Sequence, residues 1–318
     1  MFLKYSFLYL SHESKMDKYA IETNLLTKKY RHTTAVDQIS LQIVQGEIFG
    51  LIGENGAGKS TLMKMLSGMV NSTSGDFKIF GHKPAEDKYL YRRMGVLIEE
   101  AGLLGSMTAF DNMKTKALAL GCNDDKRLCE LLELCDIART GKKKVKTFSM
   151  GMKQRLAIAM TLIQDPDLLI LDEPTNGIDP KGFESIRKLL IRLNKEERKT
   201  ILISSHILEE LNKVATSYGI MKKGKLIECV TNEELNQRCR QYLQIKVDSS
   251  SKASMLLEQM LSIYSYAVID KNTIHIFDEV SSDKIIKMLV MNDIAVYSCM
   301  LNSQSLEEYF LSRNGGIE

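Results

Sequence analysis

Nothing in the 318 residues approaches the roughly 20 consecutive apolar positions that a membrane-spanning helix needs, so no span is expected. The apolar opening, MFLKYSFLYL, is short and lacks the small-residue cleavage pattern of a signal peptide. It reads as a loose arm or an upstream start ahead of Met16, with a weak membrane-touching segment as the alternative. Cysteine pairs are missing too. The six cysteines, at 122, 129, 135, 229, 239 and 299, form no CxxC, which argues against thiol-based metal or redox motifs and fits a reducing cytosol. Cys135 shares a helical face with Leu128, Leu131 and Leu132 and reads as a small core residue. An excess of one charge is also lacking: 43 Lys and Arg face 40 Asp and Glu, which gives no case for a nucleic-acid partner. The densest basic run, KKKVK at 142–146, reads as a solvated loop, with phosphate or membrane-surface contact as the minority alternative. No internal repeat or low-complexity segment is evident.

What is present is a regular alternation. Apolar runs at 48–52, 96–98, 168–171, 200–204 and 218–221 read as strands buried on both faces. Helical patterns follow Lys59, cover 127–135 and 152–163, and start again at Asp179-Pro180, with Asp as N-cap and Pro at the first helical position. Strands alternating with helices predict a largely parallel sheet with crossover helices. After about residue 237 the pattern changes. Leu243, Ile245 and Val247 alternate with polar residues, then a helix puts Leu256, Leu257, Met260 and Leu261 on one face. Two β-like runs flank Asp270-Lys271-Asn272, followed by a helix with Ile285, Ile286, Leu289 and Val290, a strand at 294–301 and a last helix with Leu306, Tyr309 and Phe310. That βαββαβ order plus a helix predicts a small α+β, ferredoxin-like accessory domain.

The chemistry concentrates in two places. Gly53, Glu54, Asn55, Gly56, Ala57, Gly58, Lys59, Ser60 and Thr61 form GxxxxGK[ST] between a strand and a helix. Glycines there let main-chain N–H groups wrap phosphates, and the helix N-terminus adds its positive dipole end. Lys59 can reach the β- and γ-phosphates, and Ser60 offers a hydroxyl to Mg²⁺. In Leu168-Leu-Ile-Leu-Asp172-Glu173, an apolar strand ends in two acids at the carboxyl edge of the sheet, where α/β ligands bind. Asp172 would hold Mg²⁺, through water, and Glu173 would polarise the attacking water.

Tyr30, the phosphate loop, SMGMKQR at 149–155, the Asp172-Glu173 pair, Gly177-Ile178-Asp179-Pro180 and His206 follow one another in an order and spacing that resembles an ABC-transporter nucleotide-binding domain. The resemblance covers about residues 18–230. It implies an α/β, P-loop NTPase fold of the ABC type with a helical subdomain at about 100–165; with the pattern of the two ends, the expected organisation is an N-terminal extension over 1–17, a nucleotide-binding domain over 18–236 and the accessory domain over 237–318. It further implies that Tyr30 stacks on adenine, that Ser149 and Gly151 reach the γ-phosphate held by a second copy, that Asp179 lies at the dimer seam, and that His206 contacts the γ-phosphate. ATP and Mg²⁺ are the implied cofactors. The implied partners are a second copy and an integral-membrane permease, which would hold the chain at the cytoplasmic face of the membrane.

Two departures from the family pattern are informative. Met150 and Met152 replace Gly and Gln in the signature, and Glu99 stands where a Gln is usual. Glu99 brings a negative charge beside phosphates, so it is expected to act with the metal and to join the catalytic set. Glu99, Glu-Ala-Gly-Leu-Leu after it, Met107-Thr-Ala-Phe-Asp-Asn112 and the signature resemble the bacitracin-resistance and lantibiotic-immunity branch. Export of an antimicrobial peptide is the cargo this implies. Another cargo (drug, lipid or ion) is the alternative, and a soluble ABC ATPase without transport is a more distant one. Replacing Glu99 with Gln is expected to alter ATPase activity or resistance; a variant equal to wild type in both assays would make the acid incidental.

Overall fold

A computed structural model describes residues 18–303 apart from 88, 100, 101, 240 and 279, together with Tyr309. The expected N-terminal extension at 1–17 and most of the last helix therefore lie outside the described residues. In chain order the elements begin with β1 (Tyr19–Tyr30), β2 (Thr33–Ile39), β3 (Gln42–Val44), β4 (Ile48–Ile52), α1 (Lys59–Leu66), β5 (Ser74–Ile79) and β6 (Met94–Leu97). There follow α2 (Ala109–Ala119), α3 (Asp125–Leu134), α4 (Met150–Thr161), β7 (Leu168–Leu171), α5 (Pro180–Lys195), β8 (Thr200–Ser205), α6 (Leu208–Asn212), β9 (Ser217–Lys222) and β10 (Lys225–Thr231). The last group is α7 (Asn232–Arg238), β11 (Gln241–Val247), α8 (Ser250–Leu261), β12 (Tyr266–Val268), β13 (Thr273–Ile276), α9 (Ser282–Met291) and β14 (Val296–Ser303).

The chain divides into two compact units, one ending at Thr231 and the other starting at Asn232. In the first, a six-stranded sheet runs β10-β9-β4-β8-β7-β6, and its pairings are parallel except the edge pair β10-β9. β4, β7 and β8 are buried along their whole length, as apolar runs covered on both faces must be. Each Ile or Leu buried there contributes about 1.5–3 kcal/mol. A second, antiparallel sheet joins β1 to β2, β3 and β5. Its strands are half-buried and β1 is interrupted by bulges near Leu26 and Lys28, so the apolar runs that betray the parallel strands are missing.

Helix starts follow local chemistry. Thr108 caps α2 in a reciprocal box with Asp111. Ser149 caps α4 by accepting from Met152 N–H, which starts the helix at Met150 rather than at 152. Asp179 precedes α5 with Pro180 at the first position, as expected, although its side chain makes no capping bond.

In the second unit, the sheet order β12-β13-β11-β14 with every neighbour antiparallel is that of a split β-α-β arrangement. Leu243, Ile245 and Val247 face its core with Leu257, Ile285 and Leu289. The core faces of the helices differ from the sequence expectation. Met260 and Val290 are exposed, and Ala253 and Met288 are buried instead. Ala253 and Met260 stand seven positions apart on one face, so periodicity gives the face but not how far along the helix the core reaches; Val290 follows buried Leu289 off the buried face. α7 belongs to this unit, ahead of the expected boundary at 237. Leu235 is buried, and Arg238 donates to the Tyr309 hydroxyl at 2.5 Å.

Cys135 is buried behind α3, and that burial pushes its thiol up to about 12. Cys129 on the same helix is exposed. Alkylation of the native chain at pH 8, mapped by mass spectrometry, should modify Cys129 and spare Cys135 until denaturant is added; native labelling of Cys135 would contradict this packing.

Candidate nucleotide site

The site forms where β4, β7 and β8 end side by side. Their register pairs Leu51 with Ser204, Ile52 with Ser205, and Leu171 with Ile203. The loop after β4 can turn into α1 only with glycine at two points. At Gly58, φ is +104° and a Cβ would lie 2.3 Å from Ala35 O; at Gly53, a Cβ would lie 2.6 Å from Met221 O. The N–H groups of the first turn of α1 have no intrahelical acceptor and so suit an anion.

Lys59 is only 4% exposed and its ammonium is enclosed. Nζ donates to Gly53 O at 2.7 Å and Glu54 O at 3.2 Å, and lies 3.5 Å from Glu173 Oε1. On the far side, Glu173 Oε2 is 3.3 Å from His206 Nδ1 and accepts from Asn176 Nδ2 at 3.2 Å. His206 Nδ1 is a buried atom at ion-pair distance but outside hydrogen-bond geometry. Glu173 therefore links a fixed cation to an imidazole, the surroundings in which a carboxylate can orient and accept a proton from water. Its backbone is strained, with φ at +45°.

Asp172 is buried beside it, its N–H donating to Leu97 O at 2.8 Å. Asp172 Oδ1 accepts from Ser204 Oγ at 2.5 Å, and Glu173 N–H donates to the same Ser204 Oγ at 2.9 Å. The two residues that the sequence offers for a cation, Ser60 and Asp172, carry only oxygen donors, as Mg²⁺ prefers. Among the described residues no cluster of three His, Cys, Asp or Glu could hold a metal by itself.

Lys59, Asp172, Glu173 and His206 thus meet in one cluster, while the other candidates stand apart from it. Glu99, φ +62°, accepts from Lys64 Nζ at 2.5 Å and so is tied to the outer part of α1. Tyr30 is 46% exposed at the end of β1, with Lys28 Nζ 4.9 Å from its ring centre. Ser149 and Asp179 are exposed at the starts of α4 and α5. Those two starts abut: a Cβ on Gly151 would lie 3.4 Å from Gly182 Cα. Sequence reading missed Ser204, Asn176 and Lys64. For Ser204 there was a signal, the Ser204-Ser205 pair closing an otherwise apolar strand immediately before His206.

The family description "ABC transporter" matches residues 36–176. A second description, "AAA domain, putative AbiEii toxin, Type IV TA system", matches 141–212. The Bacitracin transport ATP-binding protein of Bacillus licheniformis is 39% identical over 93% of this chain and 97% of its own. An uncharacterized ABC transporter ATP-binding protein of Bacillus subtilis is 38% identical over 94% of this chain and 98% of its own. The chain belongs to the ABC transporter ATP-binding proteins. The Lantibiotic transport ATP-binding protein of Streptococcus pyogenes is 45% identical to this cassette over 64% of the chain and 86% of its own.

Among solved structures, a dimeric ATP-binding cassette in a post-hydrolysis state, bound to ADP and Pi, superposes with a TM-score of 0.60 at 26% identity, covering 67% of this chain and 98% of that one. An ABC cassette from Clostridium perfringens, part of a multi-subunit transporter complex, gives 0.64 at 26% identity, covering 77% of this chain and 97% of that one. The cassette is accordingly an ABC ATPase that binds ATP. No helix among its described residues is long and apolar enough to cross a membrane.

Lys59→Ala removes the one ammonium in the cluster. Affinity for ATP, followed by fluorescent-nucleotide titration, should fall by at least about tenfold, the scale of one charged hydrogen bond. Unchanged affinity would take Lys59 out of the phosphate site.

Proposed function

We propose that two copies of the cassette sandwich two Mg·ATP, each between one copy's phosphate loop and the other's Ser149–Gly151 segment, and that the cycle drives a membrane permease exporting an antimicrobial peptide. The observation that carries the cargo is the near full-length similarity to the bacitracin transport ATP-binding protein, which spans the accessory unit as well as the nucleotide-binding one.

In this reading Gly53 to Thr61 wrap the phosphates, Tyr30 stacks on adenine, and Lys59 shifts from the Gly53 and Glu54 carbonyls to the β- and γ-phosphates. Ser60 and Asp172 hold Mg²⁺, which when bound neutralises phosphate charge. Glu173 takes the proton of the attacking water, and His206 steadies the γ-phosphate. Glu99 would change partner from Lys64 to the nucleotide side when the site is loaded. Exposed Ser149 and Asp179, set apart from the Lys59 cluster, fit completion of the site by a second copy. ATP bridging the seam favours the closed pair, and loss of the γ-phosphate releases it. A groove of about 430 Å³ beside Glu99, lined by Leu103, Val145 and Met150, has room for a short permease segment at the cytoplasmic face.

A second cargo reading has its own support. A linearmycin resistance ATP-binding protein of Bacillus subtilis is 31% identical over 93% of this chain, so a different antibiotic remains the rival. Loss of the gene should sensitise cells to peptide antibiotics in the first case and not in the second.

Glu173→Gln should reduce turnover about 10²–10⁴-fold while leaving ATP binding intact. The same variant should sediment as a dimer with saturating Mg·ATP. A monomer under those conditions, with the permease supplied, would overturn the sandwich.

A further inference from the structure

We propose that Ser204 is a positioning residue for hydrolysis, its buried hydroxyl holding the Asp172 carboxylate and the Glu173 backbone to the strand that carries His206. The inference rests on the roles given above to Asp172 and Glu173 and adds a residue that none of the nucleotide-binding motifs includes.

Ser204 is fully buried in β8, whose preceding residues Ile201, Leu202 and Ile203 are apolar and equally enclosed. A hydroxyl in such a place is unfavourable unless its hydrogen-bonding capacity is used. Here both halves of it are used. The hydroxyl donates to Asp172 Oδ1 at 2.5 Å and accepts from Glu173 N–H at 2.9 Å. One atom of β8 thereby ties down two consecutive residues at the end of β7. An alanine would fill the same strand without strain, so packing does not call for the serine.

The two bonds act on different parts of the reaction. The bond to Oδ1 limits the rotation of the Asp172 carboxylate and occupies one of its oxygens, so Oδ2 is the one that would serve a cation. The bond from Glu173 N–H holds a peptide in the left-handed region, φ +45°, which disfavours a residue with a side chain. That backbone conformation sets the origin from which the Glu173 carboxylate reaches Lys59 on one side and His206 on the other. Immediately along the strand, Ser205 Oγ accepts from Ile207 N–H at 3.0 Å, bracing the turn that carries His206. Ser204 and Ser205 thus fix the two flanks of one catalytic turn, but only Ser204 touches the acid pair.

The test compares Ser204→Ala, Ser204→Cys and Ser204→Thr in the full chain. Each is assayed for steady-state ATP hydrolysis, for Mn²⁺ affinity by electron paramagnetic resonance with a non-hydrolysable ATP analogue, and for thermal melting. Ser204→Ala should lower kcat about 10–100-fold, the scale of a small misplacement of a catalytic group, with KM for ATP near wild type. Mn²⁺ should bind several-fold more weakly. Ser204→Cys, similar in size but a poor donor, should behave like Ser204→Ala, and Ser204→Thr, which keeps the hydroxyl, should recover most of both quantities. A folded Ser204→Ala with wild-type kcat and Mn²⁺ affinity would overturn the proposal. So would equal losses in Ser204→Thr and Ser204→Cys, the comparison that decides if the alanine variant does not fold. A wild-type chain that hydrolyses no ATP would instead refute the roles of Asp172 and Glu173, with the Mn²⁺ measurement still reading Ser204 alone.

Discussion

Lys59 carries a positive charge in a place where the chain offers two carbonyl oxygens and one carboxylate to balance it. A buried cation is tolerable only with such partners, and each of them is a part of the phosphate site or of the acid pair. The ammonium therefore couples the loop after β4 to the end of β7. Its partner Glu173 extends the coupling to His206 at the end of β8. Three parallel strands, paired by backbone ladders and packed into one apolar core, are joined at their carboxyl ends by one chain of charged and polar side chains. In the proposed site, phosphates would compete for the same ammonium, so that binding of the nucleotide would go with release of Glu173.

The rest of the first unit serves that convergence. Full burial of β4, β7 and β8 makes their ends rigid with respect to one another, which a catalytic constellation requires. The antiparallel sheet supplies Ala35, whose carbonyl closes over Gly58, and Tyr30 at its rim. The exposed groups behave differently. Ser149 and Asp179 sit exposed on helix starts that touch each other, apart from the phosphate loop of their own chain.

The motifs were legible because phosphate chemistry constrains adjacent residues: GxxxxGK[ST] and the strand ending in Asp172-Glu173 are local strings. The parallel strands were legible because burial on both faces leaves continuous Ile, Leu and Val. The antiparallel sheet was not, since its strands alternate with exposed charge and β1 is bulged. Nor was the reach of the second unit's core along its helices: Met260 shares the face of buried Ala253 and Leu257 yet is exposed, and Val290 next to buried Leu289 is exposed as well.

Composition and local order alone thus determined the nucleotide chemistry, the α/β character of the first unit and the change of pattern near residue 237, because each depends on neighbours in the chain. Tertiary structure decided the partners: that Glu99 rests on Lys64, that Lys59 and His206 share Glu173, and that Ser204 bonds to both acids. Those pairings join residues more than 30 positions apart. Only the register of β4, β7 and β8 brings most of them within hydrogen-bond reach, and register belongs to the folded sheet, not to any one strand.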